Sequence, residues 1–443
     1  MSISKTRDSL LLFLGDIIFF GIALWFSIFV RYIEVPSKSL FFRHLVAFSF
    51  VFLIWALVFF VFNLYGKQSI IFRNKLPALI LRAQIVNSII AAIYFYFLPN
   101  FGITPKTILL LDLVFSFALI FSWRWYVTTI VYKGRHERAL IIGDDEDVLE
   151  LKSELSANPG YHVEVANTDK DILPDTKNIS SEIEKADVTM IILNFKDKRI
   201  ETVASDLYKL FFTRVRFIEF QSLYEEVFDR VPLSLLNDQW MLENLTRRTR
   251  RGYFIFKKGM DFIIAFVLGL VALPFVFIAM IALKIEDAGL SPFIIHERVG
   301  MGGELVKVYK LRTMRADDRD KPTITNDPRI TWVGSFLRKT RIDELPQLWN
   351  VLCGDMSLVG PRPEMPHFVE KYKKDIPYYD VRHTIAPGLS GWAQIHYHTP
   401  AYSAATNAVK LSYELYYIKN RSIPLDLKIA LRTIHTLLSR KGI

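Results

Sequence analysis

The sequence predicts a membrane protein of mixed α and α/β class. It combines a four-helix transmembrane bundle, a degenerate Rossmann-like α/β domain, and a C-terminal α/β domain with a re-entrant membrane helix. Three observations lead there. Hydrophobic residues make up 51% of the 443-residue chain, Phe alone counting 35, with a mean hydropathy of +0.24, too apolar for one water-soluble globule. Long apolar runs fill the first third, and alternating strand and helix patterns follow. One more uncharged run, broken by Pro274, then opens the last part of the chain. The expected domains are 1–133, 134–245 and 246–443.

The bundle rests on apolar runs at 9–30, 45–64, 85–98 and 108–127, the third extended back through Pro77 and past Arg82 to reach spanning length. The first run is too long for a signal-peptide core and is followed by others, so it reads as an anchor. Lys5, Arg7, Lys67, Arg73, Lys75, Arg82, Arg124, Lys133, Arg135 and Arg138 fall on one side of the bundle. Arg31, Lys38, Arg43 and Lys106 fall on the other. That bias places both ends of the bundle in the cytoplasm. Asp16 lies inside the first helix, either as a functional intramembrane carboxylate or as one paired with a basic neighbour near the interface. The net charge of +10 clusters beside apolar segments, which favours an anionic membrane surface over nucleic acid. A single cysteine, Cys353, rules out an intramolecular disulfide framework.

In 134–245 the apolar stretches 139–142, 162–166, 188–193 and 215–220 read as strands separated by helical patterns, an α/β unit. The dinucleotide fingerprint is missing. After the first strand come Gly143, Asp144, Asp145, Glu146 and Asp147. Phosphates need close backbone approach through glycines and are repelled by a row of carboxylates. A spacer or an oligomerisation surface is the expected role.

Residues 246–261 form a basic hinge with Arg247, Arg248, Arg250, Arg251, Lys257 and Lys258, suited to lipid headgroups. The run 262–283 would make about 33 Å of helix, enough to span. Pro274 removes a mid-helix hydrogen bond and can kink the axis, so the expectation is a re-entrant segment with Lys257, Lys258 and Lys284 at one interface.

Beyond it, 293–297 and 305–311 flank the glycine-rich turn 300–303 as a hairpin carrying Arg298, Lys310 and Arg312, cations suited to a diphosphate. Asp343 and Glu344 precede Pro346 at a helix start, with Leu345, Leu348, Trp349 and Leu352 predicted on one buried face. A carboxylate at this electropositive end can attack phosphorus to form an acyl phosphate. Its neighbour can help hold a divalent cation. Arg362, between Pro361 and Pro363, is fixed in a rigid turn and can clamp a phosphate bidentately.

From about residue 254 to 442 the order of landmarks resembles the bacterial sugar transferases, the monotopic phosphoglycosyl transferases. The matching residues are Lys258 to Asp261, Pro274, Lys310-Leu311-Arg312-Thr313-Met314, Asp343-Glu344, Gly360-Pro361-Arg362-Pro363 and the stretch from Pro387 to Gln394. The bundle and degenerate Rossmann-like unit resemble the large members of the family. The resemblance implies that Asp343 attacks the β-phosphorus of a UDP-sugar, releasing UMP, and that undecaprenyl phosphate then takes the sugar-phosphate from Asp343. UDP-glucose and UDP-galactose lead, with N-acetylated sugars open. It also implies Mg²⁺ (Mn²⁺ as the alternative) held by Asp343 and phosphate oxygens with help from Glu344. The expected location is the cytoplasmic face of a bacterial inner membrane, at the start of a surface-glycan pathway. A fifth crossing would put the C-terminal domain on the wrong side. Two departures stand out. Leu273 precedes Pro274 where small members often carry Ser. Ile395-His396-Tyr397-His398 replaces the frequent Val-Asn-Gly-Arg, so His398 and Arg382 are candidate substitutes for the missing phosphate or nucleotide contact, with His398 as a plain surface histidine the equal alternative. His367, His383 and Trp392 read as structural. Homodimerisation through the middle domain stays open. The alternative reading is a membrane-anchored sensor or scaffold that binds nucleotide sugar without turnover.

Overall fold

The structure, a computed structural model, describes residues 6–62, 64–65, 76–97, 106–131, 137–143, 145–158, 163–165, 186–195, 215–245, 251–315, 327–397 and 403–439, with scattered residues between 183 and 213. The chain divides into two compact units, Met1–Val227 and Phe228–Ile443. Among the described residues five helices are long and apolar enough to cross a membrane: Leu10–Tyr32, Lys38–Val61, Leu79–Tyr96, Thr107–Val127 and Gly252–Glu286.

In the first unit α1 (Thr6–Tyr32), α2 (Lys38–Val61), α3 (Leu76–Phe97) and α4 (Lys106–Val131) share one apolar core. Phe20, Phe48, Trp55 and Phe59 are fully buried in it, and Trp55 Nε1 donates to the Asn87 carbonyl at 3.2 Å. Asp16 on α1 pairs with Arg124 on α4, both buried. Arg124 also donates to the Leu64 carbonyl at 2.6 Å. Asp16 therefore has a basic neighbour, but deep among side chains.

The sheet that follows is wholly parallel: β1 (Glu137–Ile142), β2 (Val163–Val165), β3 (Met190–Leu193) and β4 (Arg216–Glu219), in the order β2-β1-β3-β4. Helix α5 (Glu146–Ala157) leaves the end of β1, and α6 (Phe220–Phe228) follows β4. Asn194 Nδ2 donates to Asp145 Oδ2 at 3.1 Å between the ends of β1 and β3. Tyr224 donates to Glu150 at 2.6 Å. One side-chain bond thus spans the ends of β1 and β3, the region where open α/β sheets of this kind take a phosphate.

The second unit begins with α7 (Asp238–Leu245) and the long helix α8 (Arg251–Glu286), which runs through Pro274 as one helix. A proline deletes one hydrogen bond, and the turns on either side hold the rest. The basic hinge at 246–250 lies outside the described residues. Helix α8 has two faces. Phe262, Phe266, Leu270, Leu273, Phe277 and Ile281 are exposed. Ala265 and Ala272 pack against Val308, Leu348, Val351 and Met356, and Ala279 and Leu283 pack against Leu311 and Leu337. Small residues spaced by seven let the rest of the unit lie close along both halves of the helix.

Strands β5 (Phe293–Val299) and β6 (Leu305–Leu311) form the expected hairpin, turning through Gly302 at φ 73° and Gly303 at φ 85°. Helix α9 (Trp332–Thr340) is capped by Thr331, whose hydroxyl accepts from the Gly334 amide at 2.9 Å. A 3₁₀ turn, Ile342–Glu344, leads into α10 (Gln347–Cys353). Strand β7 (Ser357–Val359), α11 (Pro366–Asp375), the 3₁₀ turn Tyr379–Thr384, β8 (Gly388–Ser390) and α12 (Trp392–His396) come next. Helices α13 (Ala404–Asn420) and α14 (Ile423–Ser439) complete the unit. Trp392 is buried and donates to the Asp229 carbonyl at 2.7 Å, a structural role as expected.

Candidate active site

Four segments converge on Asp343 and Glu344. The dyad lies in the 3₁₀ turn one step before α10, not in its first turn. Arg341, in the left-handed region at φ 57°, ends α9 and starts that turn. The electropositive surroundings therefore come from side chains more than from helix α10. Leu348 and Val351 fix α10 in the core, with Leu345 and Leu352 packed against it. Trp349 does not join them: it is 62% exposed. The helix turns Gln347, Leu348, Asn350 and Val351 inward, a face rotated away from the expected one, and Trp349 falls outside it.

Strand β6 supplies Lys310, whose Nζ lies 2.9 Å from Glu344 Oε1. Asn350 on α10 sets that distance. It is fully buried, donates to the Lys307 carbonyl at 2.6 Å and accepts from the Tyr309 amide at 3.2 Å. One amide thus ties the edge of β6 to the helix behind the dyad, without leaving either backbone group unsatisfied.

The loop after β7 supplies Arg362, whose Nη2 donates to the same Glu344 oxygen at 3.0 Å. Strands β7 and β8 run parallel, with Gly388 N bonded to the Pro361 carbonyl at 2.8 Å and Gly360 N to the Ser390 carbonyl at 2.8 Å. This approach needs glycine. A β-carbon at Gly360 would lie 2.5 Å from the Ala386 carbonyl oxygen, and one at Gly388 would overlap the Gly360 backbone.

The two carboxylates are held in opposite ways. Burial opposes the charge on Glu344, but Arg362, Lys310 and Arg341 outweigh it and hold its pKa well below the ordinary value. Burial raises the pKa of Asp343, and the Glu344 charge raises it further against Lys310, Arg341 and Arg338. Asp343 is 7% exposed and its Oδ1 has no hydrogen-bond partner. One carboxylate is thus saturated by cations, and the other presents an unsatisfied oxygen.

Of the other expected ligand-binding residues, Arg298 on β5 is half-buried among the charges of Glu364, Arg362 and Glu344, and burial lowers its pKa. Arg312 turns away to donate to the Ser291 carbonyl at 2.9 Å. Arg382 is 4% exposed. It donates to Glu414 at 2.8 and 2.7 Å, to the Tyr379 hydroxyl at 2.9 Å and to the Arg362 carbonyl at 2.9 Å. It stands behind Arg362, where those bonds leave it facing protein and not an open surface. His398 lies outside the described residues. Sequence reasoning missed Arg338, Arg341, Asn350 and Glu414. Arg338 and Arg341 sit just before the dyad and could have been found from that proximity. Asn350 and Glu414 carry no local signal.

Among the described residues no group of three or more His, Cys, Asp or Glu could hold a metal ion. The donor set still fits a cation of the kind that takes most of its ligands from substrate phosphates and water. Asp343 Oδ1 is a buried oxygen without a hydrogen-bond partner, whereas Glu344 Oε1 is already engaged by Lys310 and Arg362.

The family model described as bacterial sugar transferase matches residues 252–440. The chain is 40% identical over 193 residues to a UDP-N-acetylgalactosamine-undecaprenyl-phosphate N-acetylgalactosaminephosphotransferase of Aeromonas hydrophila, covering 43% of this chain and 45% of that protein. It is 37% identical over 189 residues to the UDP-glucose:undecaprenyl-phosphate glucose-1-phosphate transferase of Escherichia coli K12, covering 41% and 39%. It is 36% identical over 195 residues to the exopolysaccharide production protein PSS of Rhizobium leguminosarum, covering 42% of this chain and 96% of that protein. The match spans less than half the length of the first two and nearly all of the third.

Proposed function

The chain belongs to the bacterial sugar transferase family, and on that premise we propose that it transfers a sugar-1-phosphate from a UDP-sugar to undecaprenyl phosphate through a covalent intermediate on Asp343. The observation that carries this reading is the asymmetric dyad: Asp343 with an unpartnered buried oxygen, beside Glu344 gathering Lys310 and Arg362.

In the first step an Asp343 oxygen attacks the β-phosphorus. The bond from that phosphorus to the bridging oxygen breaks, and UMP leaves with the electron pair. In the second, an oxygen of undecaprenyl phosphate attacks the same phosphorus and the Asp343 carboxylate is released. One pyrophosphate linkage is exchanged for another, so the reaction is near thermoneutral and the demand is for positioning and charge stabilisation. Arg362 retains 39% side-chain exposure and can reach a phosphate from its anchored loop. Lys310 and Arg298 supply further positive charge. Glu344 aligns Lys310 and Arg362. A divalent cation on Asp343 and the phosphate oxygens would offset the repulsion between nucleophile and substrate, about 4 kcal/mol for two unit charges 4 Å apart at an effective dielectric near 20.

The active unit works at a membrane surface. Both halves of α8, before and after Pro274, pack against the charged unit that carries the dyad. A helix driven straight through a bilayer would carry one of those contacts to the far interface. This supports a re-entrant α8 embedded in one leaflet by its exposed Phe and Leu face, with the active unit at the cytoplasmic side of a bacterial inner membrane. The product would start a surface polysaccharide. Relatives are named for glucose and N-acetylgalactosamine substrates, so the sugar is the open variable.

The test is UMP release from a panel of UDP-sugars, with and without undecaprenyl phosphate, followed by trapping of ³²P from the β-phosphate. Ping-pong kinetics and label on the Asp343 peptide are expected. Intersecting kinetics with no trapped label would mean direct transfer. No UMP release with any sugar would favour a nucleotide-sugar sensor.

A further inference from the structure

We propose that Arg382, seated on Glu414 of α13, is a positioning residue for Arg362. The proposal rests on the reading of Arg362 as the phosphate clamp. Arg362 lies between two prolines, neither of which has a backbone N–H to donate. Its loop is therefore held largely through its carbonyls. The Pro361 carbonyl is taken by the Gly388 amide. The Arg362 carbonyl is taken by Arg382 Nη2 at 2.9 Å.

Arg382 is itself fixed from three sides. Glu414 accepts from Nε and Nη2 at 2.8 and 2.7 Å, and the Tyr379 hydroxyl accepts from Nη1 at 2.9 Å. The Arg382 and Glu414 side chains are 4% and 6% exposed. A buried ion pair is a poor source of net stability compared with apolar side chains of the same volume. Its geometry, by contrast, is specific, because a planar guanidinium forks between fixed partners. Three residues along α13 from Glu414, the Tyr417 hydroxyl lies 3.2 Å from the Val359 carbonyl at the start of the same loop. One helix face therefore holds both ends of the segment 359–362. Charge and hydrogen bonding run from Glu414 through Arg382 and the Arg362 peptide to the Arg362 guanidinium and Glu344.

A residue that acts through Arg362 loses its effect when Arg362 is already impaired. The experiment is a double-mutant cycle on the full-length enzyme in detergent, measuring kcat, the KM for UDP-sugar and thermal stability. Arg382→Lys keeps the charge, but a compact ammonium cannot span the four forked bonds that the guanidinium makes to Glu414, Tyr379 and the Arg362 carbonyl. It should lower kcat about tenfold, the equivalent of one charge-assisted bond, with little change in KM. That loss should shrink to less than about twofold in an Arg362→Lys background. Tyr379→Phe removes one partner of Arg382 and leaves the ion pair intact. It should lower kcat about threefold, again only when Arg362 is present. Equal losses in both backgrounds would overturn the proposal, because a purely structural role is independent of Arg362. So would an unaffected Tyr379→Phe enzyme if Arg382→Lys fails to fold. An Arg362→Lys enzyme with unchanged kcat and KM would instead refute the clamp reading itself.

Discussion

Arg362 and Lys310 meet on one atom: Glu344 Oε1 lies 3.0 Å from Arg362 Nη2 and 2.9 Å from Lys310 Nζ. The shared anchor draws together two cations from segments far apart in the chain. It also ties up the second acid of the dyad, leaving Asp343 as the one with an unpartnered oxygen.

This asymmetry sets the pH dependence. In the proposed mechanism Asp343 attacks as a carboxylate, and its pKa is raised, by burial first and then by Glu344. The kcat profile should therefore fall on acidification at a pH above the ordinary Asp value. Glu344→Gln removes one raising influence, so its acid limb should move to lower pH. Its rate at neutral pH should still drop about 10- to 100-fold, since a charge-assisted bond contributes about 1.5–3 kcal/mol. An acid limb that moves to higher pH would contradict the assignment.

Stability should follow Glu344 with its own sign. Its folded pKa is depressed below the unfolded value. Its contribution is thus fully present above the unfolded pKa and is lost as pH falls through the folded one. The wild-type advantage over Glu344→Gln in a denaturant midpoint should be largest at neutral pH and shrink under acid conditions.

Asp343→Asn keeps the shape and removes the proposed nucleophile. It should abolish UMP–UDP-sugar isotope exchange in the absence of lipid acceptor, the signature of the first half-reaction. Chelation with EDTA should stop the same exchange in the wild-type enzyme and leave its circular dichroism unchanged. Exchange by Asp343→Asn at more than about one per cent of wild type would refute a nucleophilic role.

Much of this was legible in the sequence because the chemistry is local. Asp343 and Glu344 are adjacent, Arg362 is fixed by its flanking prolines, and the hairpin announces itself through Gly300, Gly302 and Gly303. The four strands of the parallel sheet follow apolar runs, and their boundaries shift by a few residues where the pairing ends. Three-dimensional partnership was not legible. Arg382 reads as a candidate phosphate or nucleotide contact until Glu414, 32 residues away, is seen to hold it. Trp349 satisfies helical spacing, yet α10 turns a different face inward, burying the polar Gln347 and Asn350 with Leu348 and Val351. The dyad precedes the helix because Arg341 adopts a left-handed conformation that starts a separate turn.

The β7–β8 contact should be intolerant of a single methyl group. At Gly388→Ala the new β-carbon would overlap the Gly360 backbone, and overpacking of this kind costs about 1–3 kcal/mol. Thermal unfolding should shift down, and kcat should fall with it because Arg362 rides on that strand pair. An active Gly388→Ala enzyme of unchanged thermal stability would show that the contact can relax.

Topology can be read directly. In a Cys353→Ser background, single cysteines at Phe256 and Ile285, both exposed, should react with a membrane-impermeant thiol reagent from the cytoplasmic side. Labelling of Ile285→Cys only from the periplasm would establish a spanning α8.

The parallel sheet should bind no dinucleotide. Asn194 and Asp145 bond across the ends of β3 and β1, and the turn after β1 lacks the glycine pattern that lets a pyrophosphate approach. Calorimetry of the full-length protein with NAD should show no binding at micromolar concentrations. Micromolar affinity would assign the middle of the chain a role in cofactor sensing.

The pairing of Asp16 with Arg124 has a consequence for biogenesis. The partners are separated by 108 residues and sit on the first and the last of the four N-terminal helices. Both lie toward one end of their spans, Asp16 in Leu10–Tyr32 and Arg124 in Thr107–Val127, and either charge left unpaired inside a span disfavours insertion. While ribosomes are still extending the chain, α1 therefore carries an acid whose Arg124 partner arrives only with α4. The quartet is sealed by its final member, so truncation before α4 should leave α1 poorly retained in lipid and open to quality-control proteolysis.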